Sequence, residues 1–212
     1  MCSILAPTSI HSAPARQLSL LSAGLPDPPR EVGPLERLDL GQGAWIDTCP
    51  NWLPGSDHWL DEWRETVPWR SGKRQMYGRV VDVPRLVAHF DRNVGGPPPC
   101  GLDSLVAAFE AHYARPFPTV GCNWYRDGND SVAWHADKVQ RPGDSIVAII
   151  GVGERRPFLV KPASGGLSRK WLIGDGDLIV LGGTIQASWH HAVPKVKASG
   201  ERISIMIRSN AI

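Results

Sequence analysis

The spacing of apolar residues changes character near position 119. Before it, two stretches repeat at helical spacing. Asp57 is placed to cap a helix that carries Trp59, Leu60 and Trp63 on one face, and Pro68 stops it. Leu102–Tyr113 predicts a second amphipathic helix, with Leu105, Val106, Phe109 and Tyr113 inward and Asp103 or Ser104 near its start. After Thr119 the apolar runs are short. Val120–Tyr125, Ser145–Gly151, Phe158–Lys161, Lys170–Ile173, Asp177–Leu181 and Arg202–Ile207 each predict a strand, with a further strand-like stretch at Val132–Trp134. Turn clusters separate them, such as Arg126-Asp127-Gly128-Asn129 and Gly174-Asp175-Gly176. Upstream, Ala44–Ile46 predicts a short strand ended by Pro50, with order beginning near Gly43. Helices first and strands after predict an α+β fold with a double-sheet, jelly-roll β core.

Composition sharpens this picture. The chain has 22 glycines and 19 prolines in 212 residues, which favours many short elements joined by turns over a helix bundle. Residues 1–37 are rich in Pro, Ser and Ala without a sustained period, and are read as a loose extension before a single domain at 38–212. A net charge of +2 neither requires nor excludes a nucleic-acid partner. Cys2, Cys49, Cys100 and Cys122 form no CxxC pair and read as free thiols of a reducing compartment. No long apolar run predicts a membrane span and no signal peptide is evident, so a cytoplasmic location and no membrane partner are expected.

The chemistry concentrates late in the chain. His135 and Asp137 are two apart, and at a strand end such residues project to one side and can grip one metal. His191 supplies a second imidazole. Two His and one carboxylate leave open positions suited to an iron(II) oxygenase, where an oxo-acid and dioxygen must both bind. Arg202 and Arg208 lie on the last strand with the same parity, and guanidinium forks suit the carboxylates of 2-oxoglutarate.

The run Asn123-Trp124-Tyr125-Arg126-Asp127-Gly128, followed by Asp130–Asp137, resembles the iron-binding segment of AlkB-type dioxygenases. Gly176–Leu181 with Gln186–Lys195 resembles that family's second iron segment, and Glu201–Arg208 its closing strand. Val67-Pro68-Trp69 and Pro84-Arg85-Leu86 are similar to its N-terminal part, so the resemblance spans roughly 44–209. It implies a double-stranded β-helix with N-terminal helices packed on one sheet. It also implies iron(II) held by His135, Asp137 and His191, with His190 turned away. Arg202 and Arg208 then hold 2-oxoglutarate, and Asn123 and Tyr125 contact it from the neighbouring strand. The implied reaction consumes dioxygen and dealkylates bases of DNA or RNA.

Two positions depart from the family pattern. Ser204 stands where the closing strand usually carries Asn, and would keep part of that hydrogen bonding to the co-substrate. Val139 stands where base-repairing members usually carry an acidic residue near the amino group of the damaged base. Three basic groups are candidates for a phosphate rim: Arg70, Lys73, Arg74, Arg79 and Arg85; Arg155, Arg156 and Lys161; Lys195 and Lys197. Trp69, Tyr77, His89 and Phe90 are candidates to stack on an extruded base. Two other readings stand beside this one. The same oxygenase chemistry could act on a protein, lipid or small molecule, or the chain could be a non-catalytic nucleic-acid-binding relative. A monomer is expected.

Overall fold

The computed structural model describes residues 26–76, 79–95, 98–99 and 101–209. Twelve strands and three helices are assigned among them. The major sheet contains β1 (Glu36–Gly41), β2 (Ala44–Cys49), β3 (Arg70–Met76), β4 (Arg79–Asp91), β5 (Thr119–Tyr125), β7 (Ser145–Gly153), β10 (Asp177–Gly183) and β12 (Arg202–Arg208). Their spatial order is β1-β2-β10-β7-β12-β5-β4-β3. The minor sheet contains β6 (Val132–His135), β8 (Arg156–Pro162), β9 (Arg169–Ile173) and β11 (Trp189–Val193), in the order β6-β11-β8-β9. Every pairing is antiparallel. The predicted α+β jelly-roll arrangement is the one observed.

Two apolar cores follow from strand alternation, because successive side chains leave a strand on opposite faces. On one face of the major sheet, Val120, Cys122, Ile150, Val152, Ile203 and Ile205 meet Trp59, Leu60 and Trp63 of α1 (Ser56–Thr66) and Leu105, Val106 and Phe109 of α2 (Leu102–Tyr113). On the other face, Ile46, Tyr125, Ile149, Ile179 and Leu181 meet Phe158, Val160 and Val193 of the minor sheet. The helices therefore pack on one sheet and leave the space between the sheets for the site.

Several sequence expectations need correction. The sheet starts at Glu36, so the boundary drawn at 37–38 falls inside β1, and Val32 is already buried. Residues 1–25 lie outside the described residues. Asp57 is not the cap of α1. Gly55, with φ of +71°, turns the chain into the helix, and Asp57 sits in the first turn, where its charge opposes the positive helix end. The long β4 was not expected, since Pro84 argues against a strand interior. The β3–β4 register slips between Ser71 and Lys73, and this irregularity accommodates Pro84.

Candidate active site

The minor sheet brings the two histidines together. His135 ends β6 and stands directly opposite His191 of β11, so their rings lie 4.2 Å apart between centroids. Asp137, in the loop after β6, places Oδ1 at 3.4 Å from His135 Nε2 and 3.7 Å from His191 Nε2. One ligand atom from each residue falls within 4.8 Å of the others, close enough for one ion. His190 points to the opposite face of β11, as strand alternation requires, and is not part of this group.

The surroundings prepare these atoms for a cation. His135 Nδ1 lies 2.9 Å from the Ala133 carbonyl oxygen, which can only accept, so the proton sits on Nδ1 and Nε2 presents a lone pair. Burial pushes the His191 imidazole down to about 3, against the opposing pull of Asp137, so it is neutral near pH 7. Its ring stacks on Phe158 at 5.5 Å. Burial alone would raise the Asp137 carboxyl. The Arg208 guanidinium, with both imidazoles, more than reverses this and holds it well below the usual carboxylate range. Asp137 divides its oxygens: Oδ1 faces the histidines, while Oδ2 accepts from Arg208 Nε at 2.8 Å. Its backbone N–H donates to Gln186 Oε1 at 2.8 Å.

All eight residues assigned to the metal and the co-substrate line one cavity of about 240 Å³: His135, Asp137, His191, Asn123, Tyr125, Arg202, Ser204 and Arg208. Arg202 stands opposite Tyr125 on the neighbouring strand, with its guanidinium carbon 5.1 Å from the ring centroid. It is 1% exposed, and its Nε donates to the Ile173 carbonyl. Nη1 has no partner, and burial pushes its pKa down. A buried cation with an orphaned donor fits an incoming carboxylate. Gly121 keeps the floor open, since a Cβ there would stand 2.7 Å from Arg208 Nη1.

Asn123 and Ser204 line the cavity beside Met206. Asn123 Nδ2 lies 3.2 Å from Met206 Sδ, and the Ser204 hydroxyl lies 3.9 Å from the same sulfur. Arg85 Nε donates to Asn123 Oδ1 at 2.9 Å, and its Nη1 donates to the Ser131 carbonyl. A guanidinium can only donate, so Arg85 fixes the amide with Oδ1 toward itself and Nδ2 turned toward Met206. The residue assigned to a phosphate rim thus lines the site itself.

Other rim assignments also change. Arg156 is buried and donates to the carbonyls of Asp127, Asp130 and Pro194. Arg155 is paired with Asp177 at 2.9 Å and with Asp175. Arg70, Lys73, Lys195 and Lys197 are exposed, whereas the side chains of Arg74 and Arg79 lie outside the described residues. Among the described stacking candidates, only His89 lines the cavity. Trp69 packs on Trp124 and donates its indole N–H to the end of α1, and Phe90 packs against the helix-side core. Tyr77 lies outside the described residues. Val139 is half-buried in the loop after Asp137 and does not line the cavity.

Sequence reasoning missed Gln186, Met206 and Phe158 as site residues. Gln186 lies in the short helix α3 (Ile185–Ser188), inside the segment already compared with the family, but nothing local marks it as a partner of Asp137.

Comparison with known proteins fits this geometry. Residues 101–208 match the 2OG-Fe(II) oxygenase superfamily, and the chain belongs to it. Iron(II) is its metal and 2-oxoglutarate its co-substrate, and the His-Asp-His donors and the orphaned Arg202 donor suit both. Within the superfamily the chain is similar to AlkB homologues. It is 29% identical to the alpha-ketoglutarate-dependent dioxygenase alkB homolog 3 of Rattus norvegicus, over 71% of this chain and 58% of that protein. To the mouse protein of the same name it is 30% identical, over 74% of this chain and 62% of that one. It is 26% identical to the DNA oxidative demethylase ALKBH2 of Arabidopsis thaliana, over 91% and 76%. The chain thus spans about three-fifths of the length of the rat and mouse relatives. Among solved structures, OsALKBH1 superposes with a TM-score of 0.54 at 16% identity, over 84% of this chain and 100% of that one. At such identity the likeness concerns the fold. Among the described residues, no helix is long and apolar enough to cross a membrane.

Proposed function

We propose that this chain oxidatively dealkylates alkylated bases in DNA or RNA, consuming 2-oxoglutarate and dioxygen and releasing succinate, carbon dioxide and formaldehyde. The observation that carries the reading is the meeting, in one cavity, of the His135–Asp137–His191 donors and the partnerless Arg202 Nη1. The nucleic-acid half rests on the similarity to AlkB homologues and to a DNA oxidative demethylase. Bound iron, with co-substrate and dioxygen, supplies the oxidising power for hydroxylating an N-alkyl carbon, after which the substrate nitrogen expels the aldehyde.

The chain's own residues do the rest. His135, Asp137 and His191 hold the metal on one side and leave the other side open. Arg202 receives the distal carboxylate of the co-substrate, and Tyr125 leans on that guanidinium. Arg208 neutralises Asp137 from behind. Asn123 and Ser204 add polar contacts beside Met206. Arg85 and His89, from β4, line the same cavity.

The test is mass spectrometry of methylated oligonucleotides incubated with iron(II) and 2-oxoglutarate, following demethylated base, succinate and formaldehyde together. Equimolar appearance of all three supports the reading. Succinate without base repair on any oligonucleotide moves the assignment to a protein, lipid or small-molecule substrate, which Val139 favours by removing the family's usual base-edge acceptor. Binding without succinate would mark a non-catalytic relative. Its intact ligand set and both arginines oppose that outcome.

A further inference from the structure

The outer face of the minor sheet, opposite to the metal group, is unusual in its charge. The four strands carry Arg156, Lys161, Arg169 and Lys170 and not one Asp or Glu. Arg156 is buried and engaged with backbone carbonyls. Strand alternation sends Phe158, Val160 and Ile173 to the core and turns Leu159, Lys161, Lys170 and Leu172 outward, with Leu159 directly opposite Lys170. On β6, His135 faces the cavity, and its neighbour Trp134 is 38% exposed. Lys161 Nζ sits 4.4 Å from the Trp134 ring centroid, and Leu172 is 54% exposed. A large indole at the surface, with the Lys161 ammonium over its ring, is a flat apolar group within a positive field that a base can reach by displacing that flexible side chain.

Flat apolar groups strung on a regular polyanion match this surface, and single-stranded nucleic acids have that chemistry. We propose that the outer face of the minor sheet is a second docking surface for single-stranded DNA or RNA, with one base stacked on Trp134 and the backbone phosphates crossing Lys161 and Lys170. This rests on the proposed nucleic-acid substrate. The site and the surface are separated by the thickness of one sheet, and β6, the edge strand, presents His135 to one and Trp134 to the other. A strand leaving the cavity rounds a single β-strand to reach the platform. The surface thus holds the flanking nucleotides of a substrate whose target base is in the cavity.

The experiment measures anisotropy of fluorescent 5-nucleotide and 15-nucleotide single strands with the full chain, alongside dealkylation of a methylated trinucleotide. The 15-mer should bind more tightly than the 5-mer by roughly 5- to 150-fold, the range that one stacked base supplies. Trp134→Ala, and the double variant Lys161→Glu/Lys170→Glu, should each erase most of that gain. Trp134→Phe should retain it. Trinucleotide kcat/KM should stay unchanged in all three. The inference is overturned if the length gain is absent in the wild type or survives in both Trp134→Ala and the double variant. It is also overturned if these variants lose binding to anionic phospholipid vesicles or an acidic peptide while oligonucleotide binding persists. Trinucleotide turnover in those cases leaves the proposed function standing. If no strand of either length is bound and no trinucleotide is turned over, both fall together.

Discussion

Arg202 and Arg156 are both buried cations, yet replacing each by Met should have opposite effects. Arg156 donates to three carbonyls, at 2.9, 3.1 and 2.8 Å. Hydrogen bonds from a charged group are worth about 1.5–3 kcal/mol each when deleted. Relief of cation burial offsets part of that, so Arg156→Met should cost about 3 kcal/mol. At ~2–4 °C per kcal/mol for a chain of this size, its Tm should fall by about 6–12 °C. Arg202 donates to one carbonyl and leans on the Tyr125 ring, and its Nη1 has no partner, whereas Arg156 leaves only its Nε unpaired beside three carbonyl contacts. Replacing a poorly compensated buried charge by an apolar side chain is neutral or stabilising by ~1–4 kcal/mol. Ligand-free Arg202→Met should therefore melt at or above the wild-type temperature. Its response to co-substrate should disappear. At ~100 times its Kd, 2-oxoglutarate stabilises a protein by about 2.7 kcal/mol, or ~5–11 °C here. Calorimetric scans with Mn(II) and no oxygen, with and without 2-oxoglutarate, read both quantities on each variant. A ligand-free Arg202→Met protein melting several degrees low, or one keeping the full 2-oxoglutarate shift, would refute the idea that this cation is held ready for a carboxylate.

Further outcomes follow from the same geometry. His135→Ala and Asp137→Ala should lose metal binding and turnover, whereas His190→Ala should keep metal binding within a few-fold; equilibrium dialysis with Mn(II) checks this, and loss of metal in His190→Ala alone would reverse the ligand assignment. Because Val139 does not line the cavity, Val139→Glu should leave selection for methylated adenine or cytosine over bases without an exocyclic amino group within about 5-fold of the wild type, below the ~1–3 kcal/mol of a full base-edge contact; competition between two methylated oligonucleotides measures it, and a larger change would place this position against the substrate. Of the two described cysteines, half-buried Cys49 should be alkylated in the folded protein, while Cys122, whose thiol burial pushes up to about 12, should stay unlabelled; peptide mapping after brief iodoacetamide treatment distinguishes them.

Most strands after Thr119 were legible because each is a short apolar run closed by turn residues, and β12 additionally alternates, but β11, Trp-His-His-Ala-Val, was not expected as a strand. The two helices were legible from their apolar spacing. β1 was not, because an edge strand with the sequence Glu-Arg-Leu-Asp-Leu-Gly has an exposed face and little apolar signal. β4 was hidden by Pro84, whose place in a strand depends on a register slip visible only against β3. At the site, spacing and parity pointed to His135, Asp137 and the two arginines. The choice of His191 over His190 came from the family pattern, and the register of β11 against β6 gives it a structural basis. What remained hidden are contacts between segments distant in sequence: Gln186 on Asp137, Phe158 under His191, and Arg85 on Asn123. Basic residues were the least legible. A lysine at the rim and an arginine tied to three carbonyls look alike until the fold pairs them.

The divided carboxylate of Asp137 has a thermodynamic consequence. One oxygen turns to the metal group and the other accepts from an arginine of the co-substrate wall, so on the proposed assignments two binding events share a single side chain. Drawing electron density toward a bound cation weakens the hold on Arg208, which is then freer to meet a second carboxylate. Linkage makes this symmetrical: by whatever factor metal tightens the oxo-acid, the oxo-acid must tighten metal. Couplings of ~1–3 kcal/mol are typical of such shared elements. When iron is scarce, abundant 2-oxoglutarate would then raise the fraction of chains that retain their metal, so the supply of one reactant sets how well the protein competes for the other.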